Sequence, residues 1–279
     1  MITEPLPIEK KVVATDVDGV LLSWQSGLPY FAQKYNLPLD HILEMIVDER
    51  FIAPKDLFGT EDEVFAQQLL DKYNSSDFIR YLAPYADALK VINRMKDGYD
   101  FVAITALGDS VDARLNRQFN LNALFPGAFK EIYMCPHNSS KKELFKRVKE
   151  KYGEKLVCYV DDLPKHMNDA ADVFPKDVEL FWMARGERDG ACNAKVVPTW
   201  YEVESVLCTK EKERLFNEIH KMVMNTPFNW ERVKVAEDIW GLPKNIWKAP
   251  DDSTWRPRYG IGTGIEYLNR QPTATTGKP

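Results

Sequence analysis

A short apolar run, Val12-Val13-Ala14-Thr15, ends in two aspartates, Asp16 and Asp18, followed by Gly19. No other stretch limits the fold so sharply. A β-branched run bounded by Lys10 and Lys11 before it and by a glycine turn after it reads as a buried parallel strand, because strands covered on both faces carry near-continuous apolar residues. Alternate residues of an extended chain share a side, so Asp16 and Asp18 are expected close together at the strand's carboxyl end. Like charges at that spacing disfavour full ionisation unless a cation or a shared proton intervenes. A hard divalent ion with oxygen ligands removes the conflict, which makes Mg²⁺ the expected metal.

With 279 residues the chain suits one large α/β domain with an insertion, or two domains. Its 44% hydrophobic and 28% charged residues are the balance of a globular protein with a buried core. A net charge of -5 argues against non-specific binding to nucleic acid. Cys135, Cys158, Cys192 and Cys208 show no CxxC or CxxH spacing and are expected to be reduced. Residues 1–9 carry acids and prolines in place of a basic, then apolar, leader, and no stretch approaches the roughly 18 apolar residues of a membrane span. A cytoplasmic protein without a membrane partner is expected.

Strand and helix patterns alternate along the chain. Leu28, Phe31, Ala32 and Tyr35 fall at helical spacing, residues 36–40 break the pattern and 41–47 resume it. A further helix is expected from a Thr60 cap through Tyr73, so residues 24–80 read as a helical insertion. Beyond it come a helix at 84–97, a strand at 99–106 and a helix at 109–119 with Val111, Leu115 and Phe119 on one side. A strand at 131–134, a helix behind a serine cap at 139–140, and strands at 156–162 and 178–183 follow, and residues 195–200 lead into the next helix. Helices at 201–207 and 210–223 end the pattern. The expected fold is α/β, a doubly wound, mainly parallel sheet with helices on both faces and ligands at the carboxyl ends of its strands.

Four features occur in a telling order: Asp16-Val17-Asp18-Gly19-Val20 after the first strand, Thr105 ending another, Lys141-Lys142 at a helix start, and Asp161-Asp162 ending a third strand. This series resembles the motifs of the haloacid dehalogenase-like phosphohydrolases, over residues about 10–207. The resemblance implies that Asp16 attacks phosphorus to form an aspartyl-phosphate and that Asp18 is the acid/base. It implies that Thr105, beside Ala106, hydrogen-bonds a phosphoryl oxygen and that one lysine neutralises nucleophile and phosphate. Lys141 is favoured for that role by its place just ahead of the helix, with Lys142 the alternative. Asp16, Asp18 and Asp161 are implied Mg²⁺ ligands, with Asp162 acting through water or by orienting Lys141.

The resemblance also implies a catalytic core from residues 1–23 and 81–208 and a helical cap at 24–80 that chooses the substrate; residues 209–279 have no counterpart in it and read as an extension. Within the superfamily the sequence looks most like the 5'(3')-deoxyribonucleotidases. Trp24, Arg50 and Phe51 are then the expected readers of the leaving group, since an aromatic face and a guanidinium suit a base or sugar phosphate. The expected function is a Mg²⁺-dependent phosphomonoesterase for a small phosphorylated substrate, a nucleotide first of all. A polynucleotide 3'-end phosphatase shares the implied core, and the acidic balance argues against it. A non-catalytic binding module is suggested by Trp230, Trp240, Trp247 and Trp255, and the intact acids argue against it. Those tryptophans are expected to pack on the core or to form a homo-oligomer contact.

Overall fold

The computed structural model describes residues 9–49, 52–186, 188 and 190–224. Arg50, Phe51 and the four C-terminal tryptophans lie outside the described residues. The strands are β1 (Lys11–Thr15), a short pair β2 (Leu22–Ser23) and β3 (Ala83–Pro84), then β4 (Tyr99–Thr105), β5 (Phe129–Met134), β6 (Leu156–Asp161), β7 (Glu179–Met183) and β8 (Lys195–Val197). Six of them form one parallel sheet in the order β5-β4-β1-β6-β7-β8. The chain leaves β1 toward β4 and β5 and later returns to its other side at β6, so the strand order reverses around β1. Such a reversal opens a crevice beyond the carboxyl ends of the strands.

Alternation along the strands sends side chains into two separate layers. Val13, Phe101, Ala103, Cys158 and Phe181 face one layer, and Val12, Ala14, Val102, Ile104 and Tyr159 the other. The first layer is covered by α5 (Ala86–Met95), α6 (Val111–Leu124) and the start of α9 (Trp200–Met224). The second is covered by α7 (Lys142–Tyr152) and α8 (Pro164–Val173). All four cysteines are free thiols, and Cys158 sits wholly within the core. Among the described residues no helix is long and apolar enough to cross a membrane.

Helices α1 (Leu28–Tyr35), α2 (Asp40–Asp48), α3 (Pro54–Phe58) and α4 (Glu63–Ser75) lie between β2 and β3, whose antiparallel pairing forms their neck. They share an aromatic centre in which Phe31 meets Tyr35, Tyr73, Phe78 and Phe58 at centroid distances of 4.7, 5.3, 6.1 and 6.2 Å.

Local details depart from the sequence expectations. The cap of α4 is Asp62, whose Oδ1 accepts from the amides of Val64 (2.9 Å) and Phe65 (3.0 Å); Thr60, two residues earlier, accepts instead from the Asp62 amide at 3.2 Å. Helix α7 begins behind Lys141, with Ser140 accepting only from the Lys142 amide at 3.2 Å. Residues 201–207 and 210–223 join in the single helix α9, because Thr209 returns its hydroxyl to the Ser205 carbonyl (2.9 Å) and does not break the turn. The chain divides into a first unit, residues 1–213, and a second, residues 214–279. The described part of the second is the end of α9, with an Arg214–Glu218 ion pair of 2.8 Å.

Asp87, in the first turn of α5, accepts from Arg185 at 2.6 Å and from the Trp200 amide at 2.8 Å, tying α5, the segment after β7 and the start of α9 together. Burial pushes its carboxyl up, but these donors outweigh that and hold it below its ordinary value. A depressed folded pKa contributes stability that is present above the unfolded value and lost as pH falls through the folded one. Asp87→Asn is expected to lower stability by about 1–2 kcal/mol at neutral pH, with the difference from wild type shrinking below about pH 4. Urea unfolding at pH 7 and pH 3 measures both.

Candidate functional site

The carboxyl end of β1 sets the site. Asp16 is 5% exposed, and its amide donates to the Val160 carbonyl of β6 at 2.8 Å. The chain then turns tightly, with the Val17 carbonyl accepting from the amides of Leu21 (2.8 Å) and Leu22 (3.0 Å). Gly19 stands in this turn at φ +78°, and a Cβ there would lie 2.4 Å from Asp162 Oδ2. Glycine is therefore required both by the backbone and by the approach of β6.

Lys141 enters from the start of α7. It is fully buried, with Nζ 2.9 Å from Asp16 Oδ1 and 2.9 Å from Asp161 Oδ2. Burial alone would pull the ammonium down, yet the two carboxylates outweigh it and keep Lys141 charged. Asp161 also accepts from the Tyr159 hydroxyl and, through Oδ1, from the Leu163 amide at 2.9 Å. Burial pushes Asp161 up, but Lys141 and His166 overcome it and hold the carboxyl well below the usual range. Burial also pushes Asp16 up, and there it prevails over Lys141. Lys142 is exposed and pairs with Asp169 (3.5 Å) and Asp172 (2.7 Å), so it does not reach the carboxylates.

Asp18 is held from the opposite side of the sheet end. Arg117 Nη2 lies 2.6 Å and 2.5 Å from its two oxygens, and Thr105 Oγ1 lies 3.5 Å from Oδ2. Arg117 comes from α6, whose inward face is polar. Asn116 donates to the carbonyls of Ser75 (3.0 Å) and Ser76 (2.9 Å), and Asn120 to that of Arg80 (3.1 Å). The stripe Val111, Leu115 and Phe119 faces solvent instead.

Asp162 turns away from Asp161. Its Oδ2 accepts from Arg188 Nε at 2.8 Å, and Arg188 Nη1 donates to the Glu49 carbonyl at the end of α2 (2.5 Å). Burial pushes the Asp162 carboxyl up, with Arg188 opposing.

These groups line the floor of a cavity of about 370 Å³. Asp16, Asp18, Thr105, Ala106, Asp162 and His166 form that floor, while Trp24, Met45, Ile52, Leu57 and Leu70 form an apolar roof from the inserted helices and their flanks. His137, Asn138 and Lys165 stand at its side. Trp24 donates its indole N–H to Asn74 (2.9 Å), and its carbonyl accepts from Tyr73 OH (2.6 Å), so the ring is anchored as well as lining the cavity. A larger, more open groove of about 630 Å³ beside β5 contains none of the strand-end carboxylates.

Among the described residues, Asp16, Asp161 and His166 bring their ligand atoms within 4.8 Å of one another. Two carboxylates and an imidazole fit a divalent cation, and His166 Nδ1 is buried without a hydrogen-bond partner. Asp18 and Asp162, expected as ligands, are not in this group; their carboxylates pair with Arg117 and Arg188. The sequence expectation missed His166, Arg117 and Arg188. Only His166 left a signal, standing one helical turn beyond the acid pair in the first turn of α8.

No protein-family model matches the chain. A haloacid dehalogenase-like family hydrolase from Streptococcus pneumoniae superposes with a TM-score of 0.50 at 12% identity, covering 71% of this chain and 98% of that one. The likeness shows that the chain has the haloacid dehalogenase-like fold. In sequence, an uncharacterized 32.4 kDa protein from the gp30–rIII intergenic region of Enterobacteria phage T4 is 51% identical over 280 residues, covering 95% of this chain and 96% of that protein. At that identity and coverage, the chain belongs to the same family as the phage T4 protein.

Proposed function

We propose that this protein is a metal-dependent phosphomonoesterase that works through an aspartyl-phosphate on Asp16 and takes a nucleotide as substrate. The observation that carries the reading is the Asp16 carboxylate on the cavity floor, with the buried Lys141 ammonium 2.9 Å away. A carboxylate that must approach a phosphate dianion needs a fixed positive charge beside it, and Lys141 supplies one in a site where charge is poorly screened. Asp16 forms the bond to phosphorus as the ester P–O bond breaks, and Asp18 gives its proton to the departing oxygen. Asp18 then takes a proton from the water that cleaves the acyl phosphate, regenerating Asp16. Arg117 positions Asp18 for both transfers, and Thr105 Oγ1 stands beside it for a phosphoryl oxygen. A divalent cation, Mg²⁺ on the oxygen count, would be held by Asp16 and Asp161 and would offset charge on the phosphoryl oxygens.

Substrate choice is assigned to the inserted helices, which act here as a cap. The cavity lies within the ordinary size range for small-molecule sites, about 300–1,000 Å³. Its apolar roof of Met45, Ile52 and Leu57 offers a flat group such as a nucleobase a surface opposite the charged floor. Residues of the 5'(3')-deoxyribonucleotidase type would suit this division of labour. The enclosing roof and the net charge of -5 favour a free nucleotide over a polynucleotide end.

Asp16→Asn keeps the side-chain shape and removes the attacking charge, so turnover of a responsive nucleotide should fall by about 10³-fold or more. Near-normal turnover by folded Asp16→Asn protein, judged by its thermal melt, rules the mechanism out. Trp24→Phe and Ile52→Ala should reduce kcat/KM for nucleotides by about 1–3 kcal/mol while leaving p-nitrophenyl phosphate nearly unaffected. Equal losses on both substrates mean that the roof serves stability and not recognition.

A further inference from the structure

His166 stands apart from the oxygen donors around it. The ring is 4% exposed, lines the cavity, and holds Nδ1 3.4 Å from Asp161 Oδ2 without the alignment of a hydrogen bond. A buried polar atom without a partner is costly, so its retention calls for a ligand that it meets. Asp16 and Asp161 stand beside it, all three ligand atoms lying within 4.8 Å of one another, with Lys141 Nζ 2.9 Å from each carboxylate. Two donors bound to one ion at about 2.1 Å each are at most about 4.2 Å apart, so a small inward shift of the three side chains suffices.

We propose that His166 is a nitrogen ligand to the divalent cation held by Asp16 and Asp161, and that the site consequently binds Mn²⁺ more tightly than Mg²⁺. Mg²⁺ demands oxygen ligands and gains little from an imidazole, whereas first-row transition ions accept nitrogen readily. The third protein ligand therefore discriminates between ions that the two carboxylates alone would treat similarly. The place of His166 supports this: Pro164 starts α8 after a single intervening residue, Leu163, and the first turn of the helix brings His166 Nδ1 to 3.4 Å from the Asp161 carboxylate. The inference uses the same site as the proposed phosphatase but does not depend on phosphoryl transfer.

Electron spin echo envelope modulation of the full chain loaded with Mn²⁺ tests it directly. Wild type should show nitrogen modulation from one bound imidazole, and His166→Asn should remove it. A titration following the free Mn²⁺ resonance should show Mn²⁺ affinity falling by about tenfold or more in His166→Asn, comparable to the loss from a mutated metal-site partner, while Mg²⁺ affinity from competition changes by less than about threefold. Absence of nitrogen modulation in wild type overturns the proposal without recourse to any variant, so a His166→Asn chain that fails to fold does not protect it. Modulation that survives in folded His166→Asn points to His137 on the cavity wall and overturns it equally. Because neither measurement uses a phosphate ester, failure of the phosphatase reading leaves a distinct signature: nitrogen-ligated Mn²⁺ with no turnover.

Discussion

One ammonium group, buried at a junction of three elements, conditions the rest of the site. Lys141 is the last residue before α7, Asp16 ends the approach from β1, and Asp161 ends β6. Removing one partner of a buried ion pair typically costs about 3–5 kcal/mol, because the charge left behind has lost its water as well. A triad of one cation and two carboxylates is harder still to dismantle piecemeal, since the two acids would then face each other. The strand ends and the start of α7 are thus held in register by a feature that the proposed chemistry also needs.

Helix α6 shows how the same demand reshapes a surface. Its inward positions carry Asn116, Arg117 and Asn120, which cap carbonyls of the insertion and hold Asp18, and its apolar residues Val111, Leu115 and Phe119 are turned outward. Hydrophobic spacing locates this helix and puts the three apolar residues on one side, without saying which side faces inward. Periodicity arguments assume that the buried face is the apolar one, and here a buried polar network won because several backbone carbonyls and a carboxylate required donors.

The legible parts of the molecule are those where a short local pattern has a single physical meaning. Apolar runs ending in acids at Asp16 and Asp161, and in Thr105, specify parallel strands that deliver polar groups to one edge of the sheet, and the structure places these three there. The preference for Lys141 over Lys142 comes from the family resemblance, which sets the lysine just ahead of the helix; the residues alone leave both open, because neighbours at a helix start differ by about 100° in direction. Arg117 and Arg188 reach Asp18 and Asp162 from 99 and 26 residues away in sequence, and no local pattern encodes such a pairing. Both aspartates were expected as metal ligands, and both pair with guanidinium groups that the sequence reading did not foresee.

Arg188 joins the floor of the cavity to the inserted helices, donating through Nε to the Asp162 carboxylate and through Nη1 to the Glu49 carbonyl at the end of α2. The side chains of the ion pair are 3% and 1% exposed. Counter-ions screen exposed charges over roughly 8–10 Å at ordinary ionic strength, but they have little access to a pair so enclosed. Removing Arg188 would leave the Asp162 carboxylate buried without its cation. The Asp162–Arg188 attraction is therefore one that ionic strength weakens little, and through the Arg188–Glu49 hydrogen bond it links the end of α2 to the floor of the site.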